Sequence, residues 1–341
     1  MISKLDANDH YEIVNLIAEG GMGAVYKAKK VGAAGFEKTV AIKMMLDKLA
    51  GDRRNVDDFV GEAKLVANLI HENIVQIYDL AQCPEGYYFV LEFVDGISLY
   101  DFIDFHLKIR RQLPLNLAVF IAARVARGLA YAHSRRDAAG RPLGIVHCDV
   151  CPHNVLINTE GVPKITDFGI ARITTQAFAG RVSGKLAFMA PEQARREEVD
   201  FRSDIYSLGI VLFFMISGKM ARDLSPSLTE ILHNVRQNKL DWTQLPADLP
   251  GELVGMLKKM LADDPADRYS DTSLLAKDLE YFIYKDGYGP TIVTLANYMR
   301  ELLPGRFGSA APEETAPIDD LDRTMVLDRT IVLNDRELNQ G

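Results

Sequence analysis

The chain has 341 residues, a 48% hydrophobic fraction and a formal net charge of −8, enough for one large domain or two modest ones with a real core. The acidic balance argues against nucleic acid as the main partner, because a phosphate backbone asks for a basic face. Three cysteines make a disulfide framework a poor fit, no apolar run reads as long enough to span a bilayer, and the first residues lack signal-peptide regions, so a cytoplasmic protein is the simplest expectation.

Residues 11–46 read as strands. The runs 11–14 and 24–26 flank a glycine-rich turn, and 39–42 is β-branched and apolar. Residues 56–69 read as a helix with Phe59, Ala63, Val66 and Leu69 or Ile70 on one face. Residues 87–93 form a further predicted strand. Beyond Gly96 the pattern turns helical: 115–133 is rich in Ala and Leu, broken only by Gly128, and 207–216 is nearly all apolar and predicts a buried helix. Residues 135–143 read as a surface loop or hairpin, and 290–303 as one more helix. The expected class is α+β, in two lobes. A strand-rich lobe over 11–95 carries one main helix, a mainly helical lobe spans 96–285, and an extra helix lies within 286–304. Residues 305–341 form a linker-like tail holding the repeat Asp322-Arg323-Thr324-Met325-Val326-Leu327 and Asp328-Arg329-Thr330-Ile331-Val332-Leu333.

Five short motifs occur in order: Gly20-Gly21-Met22-Gly23, Val40-Ala41-Ile42-Lys43, His147-Cys148-Asp149 with Asn154 five positions on, Asp167-Phe168-Gly169, and Ala190-Pro191-Glu192. Gly20 and Gly23 suit either a tight hairpin or a loop whose backbone N–H groups approach phosphates, where a Cβ would obstruct. Lys43 ends an apolar strand and needs a partner, and Glu62 on the next helix offers one. The pair is either an ordinary surface bridge or a clamp holding the lysine on α- and β-phosphates. Asp149 can orient an incoming hydroxyl, while the Asn154 carbonyl and Asp167 can ligate Mg²⁺. Taken singly, these aspartates also suit turns. The ordered set describes transfer of the terminal phosphate of a nucleoside triphosphate to a hydroxyl.

Over about residues 11–285 these motifs resemble the eukaryotic-like (Hanks-type) serine/threonine protein kinases of bacteria. The resemblance implies ATP and Mg²⁺, protein substrates, and autophosphorylation in bacterial signalling. It assigns Ala18, Gly20, Gly21 and Gly23 to the phosphate loop. Val25, Ala41 and Leu156 would sandwich the adenine, with Leu91 as gatekeeper and Glu92-Phe93-Val94 as the hinge at the adenine edge. Glu192 would pair with Arg268, Asp204 would support the catalytic loop, and Val66, Ile77, His147 and Phe168 would stack between the lobes.

Four departures from the family pattern stand out. Ala18 replaces the first loop glycine, Cys148 the arginine before the catalytic aspartate, Cys151 the lysine two positions after it, and Lys185 a threonine. The arginine normally pairs with a phosphorylated activation loop, and the lysine normally supplies charge to the γ-phosphate. Lys185 is expected to reach the catalytic loop and replace that charge near Asp149, or else to face solvent. Cys148 and Cys151 also form a C-x-x-C, but without a second ligand pair at zinc spacing. The main alternative is a pseudokinase scaffold that binds nucleotide or partners without efficient transfer. A small-molecule phosphotransferase fits less well, because Ala190-Pro191-Glu192 and Arg268 suit a peptide platform. In the tail, Thr315, Thr324 and Thr330 each precede an Ile or Leu by three positions. That spacing suits a forkhead-associated domain reading phosphothreonine; a disordered tail and strand addition are the other readings.

Overall fold

Alternation along the first strands decides which side chains face the site. In the computed structural model, which describes residues 4–7, 9–20, 23–45, 66–83, 86–168, 186–225 and 227–307, an antiparallel sheet runs in the order β1-β2-β3-β4-β6-β5. Its strands are β1 (Lys4–Ala7), β2 (Asp9–Gly20), β3 (Gly23–Val31), β4 (Glu37–Met45), β5 (Ile77–Cys83) and β6 (Gly86–Glu92). Side chains two apart share a face. Val40, Ile42 and Met44 of β4 therefore join Tyr88 and Val90 of β6 in one apolar cluster, while Ala41, Phe89 and Leu91 form another on the opposite face. Lys43 has the parity of Ala41, so the sheet aims it at that second face. The helix predicted over 56–69 lies almost wholly outside the described residues; Val66 is helical, and it and Leu69 are buried.

The helical lobe hangs from a small sheet of β7 (Gly96–Ser98), β8 (Val155–Asn158) and β9 (Pro163–Ile165). Ser98 caps α1 (Leu99–Lys108), its hydroxyl accepting from the Asp101 N–H. Next comes α2 (Leu115–His133), with the bounds its periodicity predicts. Gly128 does not break α2. It lets the Asn73 carbonyl approach where an added Cβ would sit only 2.9 Å away. By length and a hydropathy of 1.3, α2 is apolar enough to cross a bilayer, which corrects the expectation that no segment is. Two-thirds of it is buried, however, packed on the helices Phe201–Ser217 and Thr272–Tyr284, as a core helix would be. The connector after α2, expected as a surface loop or hairpin, is bridged antiparallel between Arg136 and Pro142. Then follow α3 (Pro191–Arg195), α4 (Phe201–Ser217), α5 (Leu228–Arg236), α6 (Gly251–Met260) and α7 (Thr272–Tyr284). Every residue of α4 from Ser203 to Ile216 is buried, as its all-round apolarity requires.

The predicted extra helix is α8 (Ile292–Leu302), followed by the short α9 (Pro304–Phe307). It packs through Leu295, Ala296 and Met299. Tyr298 lies against the buried His106 of α1, with a hydrogen bond of 2.8 Å, and the Arg306 guanidinium donates to the Gly96 carbonyl at 3.0 Å. Desolvation holds His106 below the usual imidazole range, and its Nδ1 meets the Phe102 carbonyl at 2.7 Å. Gly161, at φ +79°, is the close approach, because a Cβ there would lie 2.1 Å from the Ile292 carbonyl oxygen. Gly161→Ala is therefore expected to cost about 1–3 kcal/mol in urea unfolding and to speed hydrogen exchange across α8. Unchanged exchange in α8 would show that the helix is not held at this point.

Candidate active site

The β2–β3 hairpin pairs Gly20 with Gly23 and Ala18 with Val25. Gly21 lies outside the described residues. Register then carries the roof inward, with Val25 opposite Lys43 and Ala41 opposite Leu91. Ala41, Leu91, Val25, Phe93, Val94 and Leu156 fall in one apolar cluster, the last reaching it from β8. The residues expected around a flat base are thus brought together. The Glu92 carboxylate is engaged elsewhere, accepting from Lys164 Nζ at 2.9 Å, while the Glu92 N–H donates to the Gln76 carbonyl at 2.8 Å. The Lys164 contact was not visible in the sequence, since the partners are 72 residues apart.

Lys43 Nζ lies 2.7 Å from Asp167 Oδ1, with the two side chains 12% and 31% exposed. Two motifs separated by a long stretch of chain are joined here by one charge-assisted contact. Glu62, the partner predicted for Lys43, lies outside the described residues.

Asp204 organises the loop that begins at His147, reaching it from α4. Its carboxylate accepts the His147 N–H at 2.7 Å and the Cys148 N–H at 2.8 Å. It also accepts from His133 Nε2 at 2.8 Å, and His133 Nδ1 lies 2.9 Å from the Thr272 hydroxyl. These bonds hold Cys148 in the left-handed region at φ 65°. His147 Nδ1 accepts the Asp149 N–H at 3.2 Å, which puts the ring proton on Nε2, where it donates to the Thr166 carbonyl at 2.8 Å. The His147 ring centroid is 4.6 Å from that of Phe168. Val66 and Phe168 share the main apolar core, and Ile77 packs against it.

Asn154 Nδ2 donates to the Asp149 backbone carbonyl at 2.8 Å and to Asp149 Oδ2 at 3.0 Å. That orientation leaves the Asn154 amide oxygen as the atom able to meet a cation. The Thr166 N–H donates to the Asn154 carbonyl at 2.9 Å, which ties Asp167 to the same corner. A neutral amide oxygen and one carboxylate are hard donors that fit Mg²⁺, an ion that completes its shell with water and substrate phosphates. Among the described residues no group of three or more His, Cys, Asp or Glu could hold a metal alone. Cys151 is packed into the apolar core. Lys185 lies outside the described residues, as does the tail from 308.

A second layer braces α3 and the segment before it. Arg268 grips Glu192 through two bonds of 2.7 and 2.9 Å, with side chains 0% and 3% exposed, and the Ser203 hydroxyl donates to the same carboxylate at 2.5 Å. Burial alone would push the Glu192 carboxyl up, but the Arg268 bonds and charge, with Ser203, outweigh it and hold it below the ordinary range. Sequence reasoning missed Gln193 and Arg222, which also hold this segment. Gln193 signals itself only as a polar residue three places after the Ala190 cap position.

The family model for the protein kinase domain matches residues 11–280. The chain is 36% identical over 315 residues to "Tyrosine-protein kinase MasK" of Myxococcus xanthus, covering 91% of this chain and 48% of that protein. It is 32% identical over 273 residues to "Serine/threonine-protein kinase PrkC" of Bacillus subtilis, covering 79% and 40%. It is 30% identical over 331 residues to "Serine/threonine-protein kinase PknB" of Mycobacterium tuberculosis, covering 93% and 50%. The chain thus spans half or less of the length of these relatives. Among solved structures, the Mycobacterium tuberculosis PknI kinase domain is similar at a TM-score of 0.58 and 27% identity, over 79% of this chain and 95% of that one.

Proposed function

Because this chain belongs to the protein kinase domain family, we propose that it transfers the γ-phosphoryl group of ATP, with Mg²⁺, to serine or threonine hydroxyls of proteins. The observation that carries this reading is the corner where Asn154 is hydrogen-bonded to Asp149 and Lys43 is paired with Asp167. Asp149 orients the acceptor hydroxyl and takes up its proton, so that the oxygen lone pair faces the phosphorus. Lys43 draws the phosphates toward the sheet, and the Val25, Ala41 and Leu156 cluster fixes the base. The Glu92 carbonyl and the Val94 N–H would meet its edge. Asn154 and Asp167 would hold Mg²⁺, which when bound neutralises phosphate charge. The proposal extends to a cytoplasmic setting and to autophosphorylation at Thr324 and Thr330, marking the tail for a forkhead-associated partner.

The acceptor class follows the relatives named serine/threonine kinases, although MasK is named a tyrosine kinase. A scaffold that binds nucleotide without transfer is the second reading, favoured by Cys151, an uncharged residue buried where the family carries a lysine. Incubation with labelled ATP, Mg²⁺ and a generic protein acceptor, followed by phosphoamino-acid analysis, tests both. Phosphoserine or phosphothreonine is expected, falling by about 10²–10⁴-fold in Asp149→Asn. Phosphotyrosine alone would reassign the acceptor. Nucleotide binding without incorporation would favour the scaffold.

A further inference from the structure

Arg222, in the connector after α4, is 4% exposed, and no carboxylate pairs with it among the described residues. Burial holds its guanidinium below the usual arginine range. A buried cation without an anion is costly unless dipoles surround it. Here the dipoles come from two backbone carbonyls of residues 187–189 and one hydroxyl of α4. Arg222 Nη1 donates to the Ala187 carbonyl at 2.9 Å and to the Met189 carbonyl at 3.1 Å. Arg222 Nη2 donates to the Tyr206 hydroxyl, which itself donates to Asn238 Oδ1 at 2.5 Å. Burial pushes the Tyr206 phenol up to about 12, so it keeps its proton. The same stretch is held from its far end. The Ala190 N–H donates to Gln193 Oε1 at 3.0 Å, and Gln193 Nε2 donates to the Cys148 carbonyl at 2.9 Å. Cys148 immediately precedes Asp149 and carries no charge with which to hold a phosphorylated segment.

We propose that Arg222 and Gln193 are positioning residues for the acceptor platform, Arg222 holding residues 187–189 against α4 and Gln193 tying Ala190 to the loop that carries Asp149, both through bonds to backbone groups. This rests on the kinase reading above and adds the means by which the peptide is presented. These bonds touch neither the nucleotide cluster nor Lys43. Their loss should therefore appear in the acceptor and not in ATP.

Arg222→Met and Gln193→Met keep side-chain volume and remove the bonds. Each is expected to raise KM for an acceptor peptide about tenfold, the upper end for one hydrogen bond, with KM for ATP within about twofold. Hydrogen exchange should also quicken about tenfold or more in peptides spanning 186–196 and, for Gln193→Met, in those spanning 146–151. Should Arg222→Met fail to fold, Tyr206→Phe removes the hydroxyl that accepts from Arg222 and donates to Asn238, and is expected to give a smaller shift of the same kind. Unchanged exchange and unchanged peptide KM would overturn the proposal, as would equal rises in both KM values. If the wild-type chain transfers no phosphate, the kinase reading fails. The exchange measurement still decides the positioning role, which falls if the Gln193→Met profile matches wild type.

Discussion

Lys43→Met is expected to lower phosphotransfer by about 10²–10³-fold while leaving the chain folded. The lysine sits on the cleft face of β4 by strand parity, opposite Val25 and 2.7 Å from Asp167. On the proposed function its charge would stabilise the phosphate oxygens most where charge is dense, in transfer itself, so turnover should fall more than ATP affinity. The fold should hardly notice. Asp167 is 31% exposed and keeps access to water when the lysine goes, and methionine keeps the aliphatic stem packed. Turnover and circular dichroism of the purified variant check both halves. Near-wild-type turnover would remove Lys43 from the chemistry, and loss of folded signal would make it a structural lysine.

What the sequence made legible follows from the range of the forces concerned. The helix at 115–133 and the buried one within 201–217 were readable because local apolar pattern and burial agree. The hairpin at 20–23 and the corner at 149–154 were readable because their chemistry is concentrated within a few neighbours. β1 was not, because Lys4-Leu5-Asp6-Ala7 has little strand character and is set by its partner β2. The Glu92–Lys164 pair and the Arg222 contacts join residues 72 and 33–35 apart, and nothing local marks either. Arg222 reads in sequence as a surface charge after a helix. Only the fold shows that two carbonyls of another segment point at it. Glu62 and Lys185, both expected at the site, lie outside the described residues, so the fold leaves their parts in the chemistry as they stood in the sequence.

Arg268→Met is expected to cost about 3–5 kcal/mol at neutral pH, the largest stability effect of any single change considered. The reason is what it leaves behind. Glu192 is 3% exposed on its side chain, and without Arg268 only Ser203 remains, among the described residues, of the side chains that hold its charge. Arg268 also donates to the carbonyls of Ala262, Arg202 and Asp263, which would lose their donor. The pH dependence gives the sign. In the wild type the Glu192 carboxyl is held low, so the stability it contributes is present above the ordinary carboxylate range and is lost as pH falls through the folded value. In Arg268→Met, burial acts without its largest opponent and pushes the carboxyl up. The penalty of the buried charge is then full at neutral pH and relieved as pH falls through the raised value. The gap between wild type and variant should therefore narrow between about pH 7 and pH 4.5. Urea unfolding at several pH values measures it, and Glu192→Gln with Arg268→Met should recover part of the loss at pH 7. A gap under about 1 kcal/mol at pH 7, or one that widens as pH falls, would mean that water or another cation takes over Glu192 and that the pair does not brace the platform.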